Sequence, residues 1–238
     1  MFGYYYGFDI TYVVLVLPCV IFALLASAMV KSRFKKFSKQ LSIRNITGAE
    51  AARRVLLHSG VTNVRIERIS GNLTDHYDPK ENVIRLSQEV YDGTSTAAIG
   101  VACHEAGHAV QYAQNYGPIK LRSAIIPVTN IGSKLAIPLI LAGVVLSYLM
   151  NWSYTLVYVG IACFGLSLLF QLVTLPVEFN ASRRAMTIIE ETDILTEEER
   201  KGARKMLTAA AMTYVAAAAV ALAQLLRLIM LFSGRRRD

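Results

Sequence analysis

Residues 154–175 read YTLVYVGIACFGLSLLFQLVTL, a run of 22 residues without a charged side chain. A helix needs about 20 largely apolar residues to cross the hydrocarbon core of a bilayer, so this run predicts a membrane-spanning helix. A second apolar run, residues 135–150, precedes it, and only Asn151-Trp152-Ser153 separates the two. A connection this short predicts a helical hairpin, with Trp152 and Tyr154 at the bilayer interface.

Two further apolar runs lie nearer the ends of the chain. Residues 10–30 are almost wholly apolar and are followed by five Lys or Arg residues between positions 31 and 39. A cleaved signal peptide carries its charges before the apolar core, so this order indicates an uncleaved anchor. Residues 209–232 are rich in alanine and are interrupted by Gln224 and Arg227. The runs together predict about four hydrophobic helices, because segments of spanning length are seldom core helices of a soluble protein.

The composition of the whole chain agrees with a membrane protein. Of its 238 residues, 54% are hydrophobic and 18% are charged, and the mean hydropathy is +0.40. These values exclude a disordered chain and disfavour a wholly soluble one. The net charge of +8 comes from Lys and Arg residues that flank the apolar runs, as expected beside a lipid bilayer. We expect no nucleic-acid partner, since these residues do not line a groove with aromatic side chains.

The distribution of Lys and Arg also predicts an orientation. Residues 31–134 and 176–208 are rich in basic side chains, whereas residues 1–10 and the Asn151 turn have none. Basic connecting segments stay in the cytoplasm, so we expect a multi-pass protein of the cell membrane with its N-terminus outside. The C-terminal Arg235-Arg236-Arg237 breaks this pattern. Either the rule is overridden there, or the last apolar segment does not fully cross.

A stretch of ordinary soluble composition lies between the first apolar run and the hairpin. Thr47-Gly48-Ala49-Glu50 has the pattern of a capping box, which predicts the start of a helix. Alternation of apolar and polar residues predicts strands, and the breaker residues 78–82 predict a turn. The expected elements are a helix to about His58, a strand Val64–Ile69, a β-hairpin of Leu73–Tyr77 and Val83–Ser87, and a helix from Ser95 to Asn115 that stops at Gly117-Pro118.

The last of these helices contains His104-Glu105-Ala106-Gly107-His108, the pattern HExxH. Residues four apart lie on one face of a helix, so the two imidazoles can share one metal ion. Glu105 is angled to reach a zinc-activated water, take its proton and later deliver it to the leaving amine. The alternative is a solvated helix face that carries two histidines by chance, which the strongly apolar surroundings disfavour.

A catalytic zinc needs a third protein ligand and one open position. No histidine follows His108, so the third ligand should be a downstream carboxylate, and Glu178 is the best candidate. The hairpin lies between His108 and Glu178, so a membrane helix would deliver the third ligand and the zinc would lie at the membrane surface. The other downstream acids are interpreted as a cluster that faces water: Glu190, Glu191, Glu197, Glu198 and Glu199.

Further residues are candidates to orient the ligands or to stabilise the oxyanion. Ser182 lies four residues after Glu178, shares its helix face and is a candidate to bond a zinc-binding imidazole. Asn180 points elsewhere on an ideal helix and receives no role. The candidate donors to the oxyanion are His76, Tyr77, Arg183 and Arg184.

Four stretches of the chain, taken in order, resemble the YugP-like family of membrane-bound neutral zinc metallopeptidases. They are DHYDP at 75–79 with VIRLS at 83–87, ACHEAGHAVQ at 102–111, LPVEFNASRRA at 175–185, and AAAMTYVAAA at 209–218. The resemblance implies zinc ligation by His104, His108 and Glu178, with Glu105 as the catalytic acid/base. It also implies a helix–hairpin–helix protease core of gluzincin type, similar in plan to the HtpX-like proteases. Gluzincins often carry Asp four residues after the ligand Glu, where this chain has Ser182.

The predicted fold is a mainly α membrane protein with about four hydrophobic helices and a small α+β gluzincin-like protease core that contains a β-hairpin. Its five expected domains are an N-terminal membrane anchor with a basic flank (1–40), a cytoplasmic-side zinc protease core with the HExxH helix (41–133), a transmembrane helical hairpin (134–176), a helix with the third zinc ligand and a charged linker (177–208), and a C-terminal hydrophobic helix with a basic tail (209–238).

The predicted function is an integral-membrane zinc-dependent metalloendopeptidase with one Zn²⁺ per chain and its active site on the cytoplasmic side. Its partners would be a membrane-associated protein or peptide substrate, the lipid bilayer and other membrane proteins. Either strand of the hairpin, Leu73–Tyr77 or Val83–Ser87, could offer an edge with which an extended peptide pairs. The alternative is a membrane scaffold or assembly factor whose zinc site is structural or vestigial.

Overall fold

The computed structural model describes residues 9–150 and 154–233 of the chain. The described residues are 76% helical, with one small three-stranded sheet, and they include four helices long and apolar enough to cross a membrane. The predicted fold class, a mainly α membrane protein, is therefore confirmed. Three predictions lie outside the described residues: they concern most of the N-terminal segment without Lys or Arg, the Asn151-Trp152-Ser153 turn and the basic Arg235-Arg236-Arg237.

Seven α-helices and three strands follow one another in the described ranges, after a π-helical turn at Tyr12–Val16. Their bounds are α1 (Leu17–Phe37), α2 (Gly48–His58), β1 (Arg65–Ile69), β2 (His76–Asp78), β3 (Val83–Ser87), α3 (Gln88–Tyr91), α4 (Thr96–Ala113), α5 (Gly117–Met150), α6 (Thr155–Glu191) and α7 (Glu197–Ser233).

The four long helices extend beyond the apolar runs that predict them. Helix α5 begins at Gly117 rather than near residue 135, and α6 continues past Leu175 to Glu191. An apolar run marks only the part of a helix that lipid can cover, so the polar continuation of the same helix escapes the hydropathy pattern. In their most apolar windows only 11% to 28% of the residues are buried, which leaves most of each apolar surface for lipid.

The Gly117-Pro118 pair begins a helix as well as following one. Helix α4 ends at Ala113, and Asn115 then takes the left-handed conformation (φ 55°) that commonly terminates a helix. Helix α5 starts two residues later, with Pro118 in its first turn. Proline is well tolerated there because the N–H groups of a first turn have no acceptor within the helix.

The sheet has the order β1-β3-β2, with β1 parallel and β2 antiparallel to β3. The predicted hairpin is confirmed, but its first strand is shorter than expected. Leu73 has a φ of 55° and Gly71 a φ of 109°, so the chain is still turning where the extended pattern suggested a strand. Since β3 is paired on both sides, Val83–Ser87 offers no free edge, and that part of the edge hypothesis is wrong.

The chain divides into two compact units. The first comprises Met1–Leu25, Leu121–Thr174 and Thr213–Asp238, and the second comprises Ala26–Lys120 and Leu175–Met212. In the second unit, apolar side chains from α2, β3, α4, α6 and α7 form one continuous core. The predicted cap of α2 is present there, because the Thr47 hydroxyl accepts a hydrogen bond from Glu50 N at 3.2 Å.

In the first unit, α5 and α6 pack directly against each other. A Cβ atom on Gly143 would lie 2.7 Å from Val157 N, and one on Gly160 would lie 2.8 Å from the Ala136 carbonyl oxygen. Glycine at these two contacts lets the helix backbones approach closely, which favours helix association in lipid. This packing agrees with the predicted hairpin.

Candidate metal centre

Helix α4 carries both histidines of the HExxH motif on one face. Ser95 caps the helix by accepting a hydrogen bond from Ala98 N at 3.2 Å, and most of the following residues are buried in the core of the second unit. The His104 and His108 rings lie edge to face, with centroids 4.8 Å apart. The spacing of four residues therefore brings the two imidazoles together at one point of the helix surface.

The small residues inside the motif let α6 approach α4. A Cβ atom on Gly107 would lie only 2.7 Å from the Ala181 carbonyl oxygen, a distance that real Cβ atoms essentially never reach. Packing against α6 thus requires the absence of a side chain at position 107. Ala181 lies three residues after Glu178, so the same close contact carries the Glu178 carboxylate to the histidine pair.

The three candidate ligands meet at distances that suit one zinc ion. Oε2 of Glu178 lies 3.3 Å from Nε2 of His104 and 3.5 Å from Nε2 of His108. Two ligand atoms about 2.1 Å from a tetrahedral zinc ion are about 3.4 Å apart, so both distances match an edge of the tetrahedron. Glu178 is 3% exposed, and a buried carboxylate is unfavourable unless cationic groups compensate its charge. The residues present therefore fit a zinc ion.

Gln111 determines which nitrogen of His108 faces Glu178. Its Nε2 donates hydrogen bonds to the Val177 carbonyl oxygen at 2.8 Å and to Asn180 Oδ1 at 2.9 Å. Because a carbonyl can only accept, the orientation of the Gln111 amide is fixed, and its Oε1 lies 3.0 Å from His108 Nδ1. The proton of the neutral imidazole must then be on Nδ1, which leaves the Nε2 lone pair free to bind a metal.

The same network continues outward to an arginine. Asn180 Oδ1 also accepts a hydrogen bond from Arg184 Nε at 2.7 Å. The Arg184 guanidinium lies over the Tyr116 ring and donates to Gln114 Oε1 as well. Sequence reasoning gave no role to Gln111 or Asn180. The sequence does contain a feature that indicates a role for Gln111. It lies three residues after His108 on the same face of an apolar helix, where a lone amide needs a hydrogen-bond partner.

His104 has a different partner for its outer nitrogen. The Ser182 hydroxyl oxygen lies 3.1 Å from His104 Nδ1. The position of Ser182 one turn after Glu178 therefore brings it to a candidate ligand, where its hydroxyl can accept the Nδ1 proton. Each imidazole is thus held at Nδ1 by a polar side chain, and both Nε2 atoms face Glu178.

Opposing effects act on the ionisation of His108. Burial favours its neutral form, but the hydrogen bond with Glu178 and the negative charges of Glu105 and Glu178 outweigh burial. Together with the Gln111 hydrogen bond they raise the pKa of His108 above its ordinary value. Glu105 is partly exposed, unlike Glu178, so its carboxylate has access to water.

The cysteine beside the motif does not contribute a nucleophile. Cys103 is fully buried in the core, and burial raises the pKa of its thiol far above the ordinary value. A thiol in such surroundings stays protonated and inert at neutral pH. Cys103 is therefore excluded both as a nucleophile and as a thiolate ligand of a metal.

Three of the four candidate oxyanion donors, His76, Tyr77 and Arg184, have other partners in the described part of the chain. The exposed His76 has Nδ1 2.8 Å from the Thr74 carbonyl oxygen, and the Tyr77 hydroxyl donates to Asn82 Oδ1 at 2.7 Å. Arg183 is exposed on the side of α6 that faces a groove, and Arg184 belongs to the Asn180 network. Their role as donors to an oxyanion stays a prediction.

One member of the predicted water-facing acidic cluster is buried. Glu199 is 3% exposed, and its carboxylate accepts hydrogen bonds from Ile43 N at 2.7 Å and Thr196 N at 2.8 Å. Together with Thr196 it forms a capping box at the start of α7, so the prediction was wrong for this residue. The other four acids are exposed, as expected: Glu190, Glu191, Glu197 and Glu198.

Comparison with known proteins identifies the family to which this chain belongs. A family model described as "Putative neutral zinc metallopeptidase" matches residues 12–233. The protein "Putative membrane protease YugP" of Bacillus subtilis (strain 168) is 47% identical over 213 residues, which cover 90% of this chain and 92% of the relative. No solved structure matches the chain. The chain therefore belongs to the YugP-like family of membrane zinc metallopeptidases.

Proposed function

We propose that the protein is an integral-membrane, zinc-dependent metalloendopeptidase that hydrolyses peptide bonds of membrane or membrane-adjacent proteins. The observation that carries this proposal is the spacing of Glu178 Oε2 from the two histidine Nε2 atoms, 3.3 and 3.5 Å. Three protein ligands leave one position of a tetrahedral ion open, as catalytic sites require, whereas structural sites use four. The description of the family supports the same class of activity.

His104, His108 and Glu178 would hold one zinc ion per chain. A zinc ion bound there would act as a Lewis acid and make water nucleophilic near neutral pH. Gln111 and Ser182 orient the imidazoles, so neither ring has to reorganise during catalysis. The buried Glu178 compensates part of the charge of the dication.

Glu105 would act as the general acid and base. It follows the first histidine directly, it is not one of the three clustered groups, and it is partly exposed. As the water oxygen bonds to the carbonyl carbon of the substrate, Glu105 takes the water proton. It then gives this proton to the amide nitrogen while the C–N bond breaks, which returns the carboxylate to its starting state.

The position of Glu178 on its helix supports a substrate in or beside the membrane. The apolar run of α6 ends at Leu175, and Glu178 follows three residues later on the same continuous helix. The candidate ligands fall within residues 31–134 and 176–208, which are rich in Lys and Arg. The positive-inside rule then supports a multi-pass protein with its active site on the cytoplasmic side.

Strand β2 is the edge most suited to receive an extended peptide. It pairs with β3 on one side, and it contacts α4, the helix of the HExxH motif. Peptide backbone paired with a strand offers alternate N–H groups to it. N-methylation of successive amides in a cleaved peptide should therefore slow cleavage at every second position. An effect without this alternation would exclude strand pairing.

The experiment that tests the proposed function compares the parent protein with Glu105→Gln. Both proteins are purified in detergent, and their zinc content and peptide-bond cleavage are measured. We expect close to one zinc per chain in both, since Glu105 is no ligand, and cleavage only by the parent. The matched control is Glu190→Gln, an exposed carboxylate on α6, which should keep both zinc and activity.

Two outcomes would overturn the proposal. Cleavage that is unaffected by Glu105→Gln would show that another group moves the proton. A parent protein that holds zinc but cleaves none of a broad set of membrane and soluble protein substrates would favour the alternative, a membrane scaffold or assembly factor with a structural or vestigial site.

A further inference from the structure

A groove with a strongly basic lining lies between α1 and α7, and neither histidine of the candidate metal centre lines it. It has a volume of about 370 Å³ and belongs wholly to the second unit. Its lining residues are Met29 and Arg33 from α1 and Lys201, Arg204, Lys205, Thr208, Ala209 and Met212 from α7. Four of these eight side chains are cationic, and none is acidic.

The groove is built on two helices that are packed firmly together. The α7 residues recur at intervals of three and four, so they form one face of that helix, and Met29 and Arg33 are likewise one turn apart on α1. A Cβ atom on Gly202 would lie 3.0 Å from ring atoms of Phe37 and 2.9 Å from Gln40 Oε1. This close contact joins the C-terminal end of α1 to the beginning of α7 and keeps the groove walls in place.

Most of the positive charge in the groove has no compensating carboxylate. Lys201 pairs with Glu197 and Glu198 at 3.6 and 3.1 Å. Arg33, Arg204 and Lys205 form no ion pair with any residue that the structure describes. Three neighbouring cations repel one another, so an anion in the groove would relieve an unfavourable interaction.

The groove coincides with the point at which both helices change from charged to apolar sequence. In α1 the continuous apolar run ends at Val30, and four Lys or Arg residues follow before Phe37. In α7 the cluster of charged residues ends at Lys205, and the largely apolar sequence that follows carries no charged residue before Arg227. The cations thus lie at one end of the groove, while Met29, Ala209 and Met212 form an apolar wall towards the other. A ligand that matches this arrangement is an amphiphile with an anionic head.

We propose that this groove binds the headgroup phosphate of an anionic phospholipid, with Arg33, Arg204 and Lys205 around the phosphate and the acyl chains along the apolar wall. Basic pockets between helices at a bilayer surface bind such headgroups, and each basic residue near the surface strengthens binding about fivefold. The phosphate chemistry alone would also suit inorganic phosphate, but the apolar wall favours the lipid. This site does not depend on the proposed hydrolysis.

Native mass spectrometry of the full-length protein in detergent tests the proposal. The protein is titrated with phosphatidylglycerol and, separately, with zwitterionic phosphatidylcholine of the same acyl-chain length. The test variant carries Arg33→Gln, Arg204→Gln and Lys205→Gln. The matched control carries Lys31→Gln, Lys35→Gln and Lys39→Gln, which remove the same charge from exposed positions beside the groove. Size-exclusion elution and circular dichroism show whether each variant is folded.

We expect the parent to prefer phosphatidylglycerol, the test variant to bind it more than about tenfold more weakly, and the control to change by less than about threefold. Equal losses of lipid affinity in both variants would indicate diffuse electrostatic attraction and not a binding site, and would overturn the proposal. Equal binding of the two lipids by the parent would overturn it as well. Displacement by inorganic phosphate at the same concentration would identify a free-phosphate site instead. If the triple variant does not fold, Arg204→Gln alone should lower the affinity for phosphatidylglycerol about fivefold. An unchanged affinity of this variant would again contradict the proposal.

Discussion

Gln111 shows how a single buried amide can prepare a metal site. Both protons of its amide nitrogen are donated, to Val177 and to Asn180, and its oxygen faces His108. An amide with all these partners cannot rotate without leaving a buried polar group unsatisfied, which costs about 1–3 kcal/mol. The orientation of His108 is therefore set by the fold before any metal arrives.

Replacing Gln111 with Met should weaken zinc binding about 10- to 100-fold, because loss of a partner to the outer nitrogen of a ligating histidine typically has this effect. Met keeps the volume and removes the hydrogen bonds. Competition with a chelating dye measures the affinity. Gln114→Met is the control, since Gln114 is exposed and touches only the far end of the network. Equal affinities for the Gln111 variant and the parent would refute this role.

Ser182→Ala should weaken zinc binding less than Gln111→Met does, by about threefold to tenfold. Ser182 is only partly buried, so a water molecule can replace its hydroxyl beside His104 Nδ1. Gln111 is fully buried and has no such substitute. The same dye competition compares the two variants, and a larger loss for Ser182→Ala would contradict this ranking.

At the scale of elements, the contact between α4 and α6 decides whether the ligands meet. Gly107→Ala would place a methyl group 2.7 Å from the backbone oxygen of Ala181, which cannot move without shifting α6. We expect a loss of about 1–3 kcal/mol in stability and a marked loss of zinc. Thermal unfolding and zinc content measure the two effects.

Gly100→Ala on the same helix is the matched control. Its new methyl group would meet Met206 Cε at 3.1 Å, the flexible end of a side chain that can move aside. Alanine also favours a helix interior by about 0.5–1 kcal/mol over glycine, so this variant should be as stable as the parent or more stable. Similar behaviour of the two variants would refute the importance of the α4–α6 contact.

A contact between the start of α1 and the end of α7 indicates whether the last apolar segment crosses the membrane fully. Arg227, late in α7, donates to Asp9 Oδ2 at 2.7 Å and lies over the Tyr12 ring, just before α1. The end of α7 is therefore beside the start of α1, which favours a full crossing despite the basic C-terminus. Reporter fusions should place both chain ends on the same side of the membrane, and opposite sides would refute this.

The sequence predicted some elements well and others only in part, for physical reasons. Helix α2 and strand β3 follow local signals, a capping box and alternation, and both were predicted correctly. Helix α6 continues through Pro176 to Glu191, and no apolar pattern marks that polar extension. Strand β2 begins late because Leu73 has a positive φ, which Leu rarely adopts and which no sequence pattern indicated.

At the scale of the whole molecule, the site joins parts of the chain that are far apart in sequence. His104 and His108 could be paired from the sequence because one helix turn separates them. Glu178 was chosen by elimination, and the contact that carries it to α4 depends on Gly107 and Ala181, a pairing visible only in three dimensions. The Asn180 and Arg184 network depends on the same packing, so ideal helix geometry alone did not predict it.

The most direct test of the account is X-ray absorption at the zinc edge on the purified full-length protein, with zinc content measured in parallel. We predict one zinc per chain with two imidazoles and carboxylate oxygen as ligands, and near-complete loss of zinc in Glu178→Ala but not in Glu190→Ala, an exposed carboxylate on the same helix. Full zinc retention in Glu178→Ala, or sulfur among the ligands, would contradict the claim that His104, His108 and Glu178 form the metal centre.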